Sequence, residues 1–150
     1  MEKRYENEVV GFNARMADVH AAIGRVQLEK LAAWTAQRQS NAAFFSAHLE
    51  GVTVPGIAEG ATHVWHQYTI RVAADRDGFA AALAAEHGIG SGVYYPIPNH
   101  ELPSFGQHID LPATAQACAE VLSLPVHPAL TTDDLARIVD GVNAVAKAGA

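Results

Sequence analysis

Asn13 and Arg15 stand two residues apart in GFNARMADVHAAIG, residues 11–24, among small and apolar neighbours. An amide and a guanidinium both donate hydrogen bonds to a phosphate or carboxylate, the guanidinium through a fixed planar fork. They come too early to share a face of the helix that follows, and they are too isolated to form a solvated charge run. The plainer alternative is an Arg lying along the helix start and an Asn closing a local turn. Spacing alone leaves both open. A second group lies in YYPIPNH, where Tyr94, Tyr95 and His100 surround two rigid prolines. Two phenol hydroxyls and an imidazole can hydrogen-bond a polyhydroxylated ligand, or the tyrosines can pack with their hydroxyls in water.

Other chemistries fit less well. Of eight histidines, His63 and His66 are three apart, which on a strand puts them on opposite faces. His100 and His108 have only Glu101 and Asp110 nearby, and neither an HExxH nor a paired-cysteine spacing occurs, so no metal site is expected. There is no GxSxG elbow for a nucleophilic serine. The glycines of GIGSG (88–92) follow a helix, where a phosphate loop would follow a strand, and read as a helix stop and a tight turn. Cys118, the one cysteine, excludes an internal disulfide and reads as a small buried helix residue in AQACAEVL rather than a reactive thiol.

Composition sets the frame for these residues. At 150 residues, 49% hydrophobic and 17% charged, the chain is long enough for one folded domain with a real core. A net charge of −6 with scattered basic residues argues against nucleic-acid binding. No apolar run approaches the roughly 20 residues that cross a bilayer, and no signal peptide opens the chain. Together with the single cysteine, this gives a cytoplasmic expectation. MEKRYENEVVGFN reads like a sequence entered mid-stream.

The elements that must position these groups follow from periodicity. Residues 18–50 read as one long helix, with Asp18 at its start and Gly51 as its stop. Its apolar residues Met16, Val19, Ile23, Val26, Leu31 and Trp34 share the surface with Leu28 on nearly the opposite side, which predicts cover by another domain or subunit. After a turn-rich connector, HVWHQYTIRV (63–72) reads as a strand. Asp77 can cap the helix GFAAALAAEH, which stops at Gly88, and IGSGVYYP (89–96) predicts a second strand. The loop 96–112, with four prolines, has the length of a functional loop or lid. A short helix over 113–121 and a strand in LSLPV (122–126) lead to a helix capped by Thr131, Thr132, Asp133 and Asp134, with Leu135, Ile138, Val139, Val142 and Val145 on one stripe. The sum is an α+β unit: one long helix, a small sheet, and helices covering it.

Taken in order, GFNARMADVHAAIGRVQLEKL, HVWHQYTIR, GIGSGVYYPIPNH and VLSLPVHPALTTDDL resemble the C-terminal part of the DegT/DnrJ/StrS family of pyridoxal-phosphate-dependent sugar aminotransferases. The resemblance runs over residues 9–147. It implies the small C-terminal domain of an aspartate-aminotransferase-type (fold type I) enzyme, with residues 1–17 as an interdomain segment reaching the cofactor site and 18–150 as the small domain. It also implies roles. Asn13 matches the family Asn that crosses the dimer interface to the phosphate of the partner's pyridoxal 5'-phosphate, and Arg15 matches the arginine beside it. His66 and Tyr68 match the strand motif, and His100 the histidine near the sugar nucleotide, with Tyr95 beside it as a further substrate contact.

The departure from the family lies in the lysines. Transamination needs a lysine that holds the cofactor as a Schiff base and shuttles a proton. This chain has Lys3, Lys30 and Lys147, and none lies in the serine-rich lead-in that carries the family lysine. The expectation is therefore that no catalytic residue is present, and that the chain alone is inactive. It would be part of an enzyme moving an amino group from glutamate or glutamine to a keto sugar, usually nucleotide-linked, as a homodimer or with an intact subunit. The alternative expectation is a non-catalytic dimerisation or regulatory module from the same family.

Overall fold

A computed structural model of the chain describes residues 14–107 and 109–149. Asn13 and His108 lie outside the described residues. The chain divides into two compact units between Ala32 and Ala33, within its first helix.

That helix, α1 (Asp18–His48), has 31 residues and hence a length of about 46 Å. In the first unit its apolar side chains face solvent: Val19, Ile23, Val26, Leu28 and Leu31 are 47–70% exposed. In the second unit α1 buries Asn41, Ala42 and Phe45. Asn41 is fully buried yet satisfied, because its amide nitrogen donates to the His127 carbonyl (3.1 Å) and its oxygen accepts from Gln37 (2.9 Å).

The remaining elements build the core of the second unit. Strand β1 (Tyr68–Arg71) pairs antiparallel with β2 (Val121–Leu124) in the register Tyr68–Leu124 to Arg71–Val121. Single bridges extend the sheet on both sides, Thr53 to Arg71 and Gly92 to Ser123. Alternation along β1 sends Tyr68 and Ile70 into the core. On the other face Thr69 bonds Ser123 (2.8 Å) and Arg71 pairs with Glu120. Helices α2 (Arg76–His87), α3 (Pro112–Glu120) and α4 (Thr132–Ala148) complete the order. Phe79 and Leu83 of α2 and Leu135, Ile138, Val139, Val142 and Val145 of α4 join the strand residues in one buried cluster. Asn143 of α4 ties off the end of α1, donating to the His48 carbonyl (3.0 Å) and accepting from Glu50 N (2.8 Å).

Several elements match the sequence reading and three differ. The capping box of α4 forms as expected, with Thr131 and Asp134 each bonding the other's backbone. The predicted strand 63–72 is shorter: Trp65 has φ +50°, a left-handed conformation that no strand accommodates, and pairing begins at Tyr68. The predicted strand 89–96 reduces to the single bridge at Gly92. The cap of α2 is Asp75, not Asp77. The Asp75 carboxylate accepts from Gly78 N (3.0 Å), while Asp77 accepts from Arg76 Nε (2.6 Å).

Candidate functional site

The segment leaving the sheet at Gly92 carries the aromatic pair. Gly92 exchanges both backbone hydrogen bonds with Ser123 (2.9 and 2.8 Å), and a Cβ there would stand 3.0 Å from the Tyr94 ring, which folds back over it. Tyr95 then adopts φ +59° and is 71% exposed. A left-handed tyrosine costs roughly 1–2 kcal/mol, and such outliers persist only where their surroundings enforce them. Pro96 and Pro98 flank Ile97 and stiffen the exit. Pro98 begins a one-turn 3₁₀ helix over Asn99–Glu101, and the His100 carbonyl accepts from Gln107 N (2.9 Å), closing the loop on itself.

This geometry brings Tyr95 and His100 to one cavity of about 380 Å³. Ile97, Pro98 and Asn99 complete its near side, and Thr114 and Cys118 of α3 its far side. His100 is mostly buried, and its Nε2 has no hydrogen-bond partner among the described residues. The nearest carboxylate oxygen, of Glu101, lies at 3.6 Å, too far for a hydrogen bond. A buried nitrogen left unsatisfied costs about 1–3 kcal/mol. Thr114 and Cys118 give no local signal in the sequence, since they lie on a different element from the loop and meet it only in the fold.

The other candidate residues lie elsewhere. Tyr68 is fully buried beneath Phe45 and Trp65, its ring centroid 5.3 Å from each, and its hydroxyl bonds Ser46 (2.9 Å). Burial pushes the Tyr68 hydroxyl above its ordinary pKa, and the Ser46 hydrogen bond opposes that shift. His66 is exposed just before β1. Ser46 and Trp65 line a second, larger cavity of about 530 Å³ with Gln39, Ile57 and His63. Gln39 donates to the His63 carbonyl (3.0 Å) and Arg38 to the Val64 carbonyl (3.2 Å), so α1 holds that rim in place. The smaller cavity is the better candidate site despite its size, because an imidazole nitrogen with no hydrogen-bond partner among the described residues and an exposed phenol converge there. Arg15 is exposed ahead of α1.

Among the described residues, no lysine stands where it could hold an aldehyde cofactor covalently in either cavity. Lys147 is exposed beside Glu50 (4.0 Å), Lys30 is exposed on α1, and neither cavity has a lysine in its wall. No group of three or more His, Cys, Asp or Glu side chains among the described residues could hold a metal ion. No helix among them is long and apolar enough to cross a membrane.

Helices laid around a small two-stranded sheet make this the α+β small-domain fold of fold type I pyridoxal-phosphate enzymes. The chain belongs to the DegT/DnrJ/EryC1/StrS aminotransferase family, whose model matches residues 1–143. It is 38% identical over 138 residues to the UDP-N-acetyl-3-dehydro-alpha-D-glucosamine 3-aminotransferase of Acidithiobacillus ferrooxidans, covering 89% of this chain and 37% of that protein. It is also 38% identical over 148 residues to the pleiotropic regulatory protein of Geobacillus stearothermophilus, covering 93% and 39%. Among solved structures, Streptomyces venezuelae DesV in complex with a ketimine intermediate superposes with a TM-score of 0.83 at 32% identity, covering 98% of this chain and 41% of that one. The chain thus spans about two fifths of the relatives it matches.

Proposed function

We propose that this chain is the small domain of a pyridoxal-phosphate-dependent sugar aminotransferase, and that it supplies binding groups to a reaction whose lysine lies in another polypeptide segment. The whole enzyme moves an amino group from glutamate or glutamine to a keto sugar carried on a nucleotide. When bound, the cofactor supplies the electron sink for that transfer. Residues 1–17 reach the cofactor site: Asn13 hydrogen-bonds the cofactor phosphate across a dimer interface without adding charge, and Arg15 binds an anion beside it. Tyr95 and His100 shape the sugar side and the exposed His66 adds to it, while Tyr68, fully buried with its hydroxyl on Ser46, supports it only through packing. The exposed apolar row of α1 docks onto the remainder of the enzyme in the cytoplasm.

One observation carries this reading: a family match over nearly the whole chain that accounts for only about two fifths of each relative. The test is reconstitution. A polypeptide corresponding to the first three fifths of a relative is added to the purified chain with pyridoxal phosphate and a nucleotide-linked keto sugar. Turnover should appear, and Asn13→Ala should weaken cofactor retention in the mixture. No turnover from a mixture that assembles and holds cofactor would contradict the reading.

A second reading, a non-catalytic regulatory or dimerisation module, is favoured by the name of the Geobacillus relative. It predicts that the chain pairs with an intact family member and changes its activity without restoring any.

A further inference from the structure

Helix α3 carries no residue to which the reading above gives a role, yet it faces the loop that does. Thr114 and Cys118 are four residues apart, hence on one face and about 6 Å apart along the axis. Both line the cavity shared by Tyr95 and His100. We propose that this face of α3 is the far wall of the sugar pocket, with Cys118 limiting the size of the group admitted and Thr114 offering it a hydrogen bond. The proposal rests on the sugar-side role given above to Tyr95 and His100.

The wall is held from behind. Arg76, itself buried, donates through Nη1 to the carbonyls of Cys118 (3.3 Å) and Val121 (3.0 Å), and Asp77 holds its Nε (2.6 Å). α3 then runs into β2 without an intervening loop, so the helix end is anchored in the sheet. A side chain placed on such an element is positioned more sharply than one on a free loop. Cys118 is small and half-buried, with its backbone engaged by Arg76 and its side chain toward the cavity. Opposite it stand the apolar Ile97 and Pro98, which suit a carbon-rich edge of a sugar, while Thr114, Asn99, His100 and Tyr95 are polar groups of the same lining that can meet its hydroxyls. Filling the space over Cys118 should therefore exclude a sugar while leaving the nucleotide portion unaffected.

The test uses the full chain, isotopically labelled, assembled with the large-domain polypeptide and pyridoxal phosphate, and titrated with UDP-N-acetylglucosamine and separately with UDP. The sugar nucleotide should shift the NMR signals of Thr114 and Cys118 together with those of Tyr95 and His100, whereas UDP should leave Thr114 and Cys118 unmoved. Cys118→Leu should weaken binding of the sugar nucleotide by about tenfold or more, as added methylenes in a pocket do, with UDP binding unchanged. Shifts at Tyr95 and His100 but not at Thr114 and Cys118 would overturn the wall and leave the sugar-side reading standing. No shift at any of the four would overturn both, and equal weakening of both ligands by Cys118→Leu would overturn the size role. If Cys118→Leu does not fold, alkylation of the native thiol by iodoacetamide serves instead: the sugar nucleotide should slow it, and an unchanged rate overturns the proposal.

Discussion

Tyr68 and His100 show how differently two motif residues can be used. The Tyr68 hydroxyl has one partner, Ser46, inside an aromatic cluster with Phe45 and Trp65. Tyr68→Phe should lower stability by about 1 kcal/mol, the net worth of such a bond, as read from the urea midpoint. Its titration adds a pH signature. With the folded pKa raised above the unfolded value of 10, the unfolded state loses its proton first. Stability is therefore fully present below about pH 10 and falls as pH rises through the folded pKa. The Phe variant should lack that component, and identical alkaline slopes for both proteins would contradict it. Asp134 works in the opposite sense. The Thr131 side-chain hydrogen bond, then the backbone one, holds its carboxyl below the ordinary value, so its contribution is present above the unfolded pKa and lost as pH falls through the folded one. At this scale the sequence was partly legible. YYPIPNH marked Tyr95 and His100, which do share a cavity, but nothing local marked Thr114 and Cys118, since they face that cavity only once α3 folds beside the loop.

The elements were most legible where capping chemistry and stripe agreed. Thr131 and Asp134 stand where the sequence puts the start of α4, and its stripe is the buried one. Thr131→Ala should cost about 1 kcal/mol, seen as a lowered thermal midpoint. The strand over 63–72 was overread because β-branched and aromatic residues signal a strand but not where its backbone turns. The left-handed Trp65 ends that run, and its amide donates to His63 Nδ1 (2.9 Å). The cap of α2 was misplaced by two residues for a similar reason: two nearby Asp residues offer the same chemistry, and only backbone geometry selects Asp75. Gly51 is a tight joint. It has φ +72°, and an added Cβ would come within 2.7 Å of Ala146 Cβ. Gly51→Ala combines left-handed strain with overpacking, so a loss of about 1–3 kcal/mol is expected. A neutral result would show that the chain around Gly51 and Ala146 relaxes to admit the added methyl.

Across the whole molecule, the unexplained surface is the apolar row of α1. Val19, Ile23, Val26, Leu28 and Leu31 are exposed here, and the sequence already predicts cover from elsewhere, because apolar residues lie on more than one side of the helix. Under the proposed function, that cover is the remainder of the enzyme. Ile23→Glu should leave the unfolding midpoint of the isolated chain within about 0.5 kcal/mol, as exposed substitutions usually do. The same variant should abolish assembly with the large-domain polypeptide, read by sedimentation. A variant that assembles normally would remove this face from the interface.

The division of labour between segments is tested most directly by mixing the purified chain with pyridoxal phosphate, adding borohydride, and locating any lysine adduct by mass spectrometry. No specific adduct and no visible absorption band are expected from the chain alone, and both are expected on the added segment's lysine once the large-domain polypeptide is present. A stoichiometric adduct on Lys3, Lys30 or Lys147 of the isolated chain, accompanied by such a band, would show that the chain holds the cofactor itself and would contradict the account.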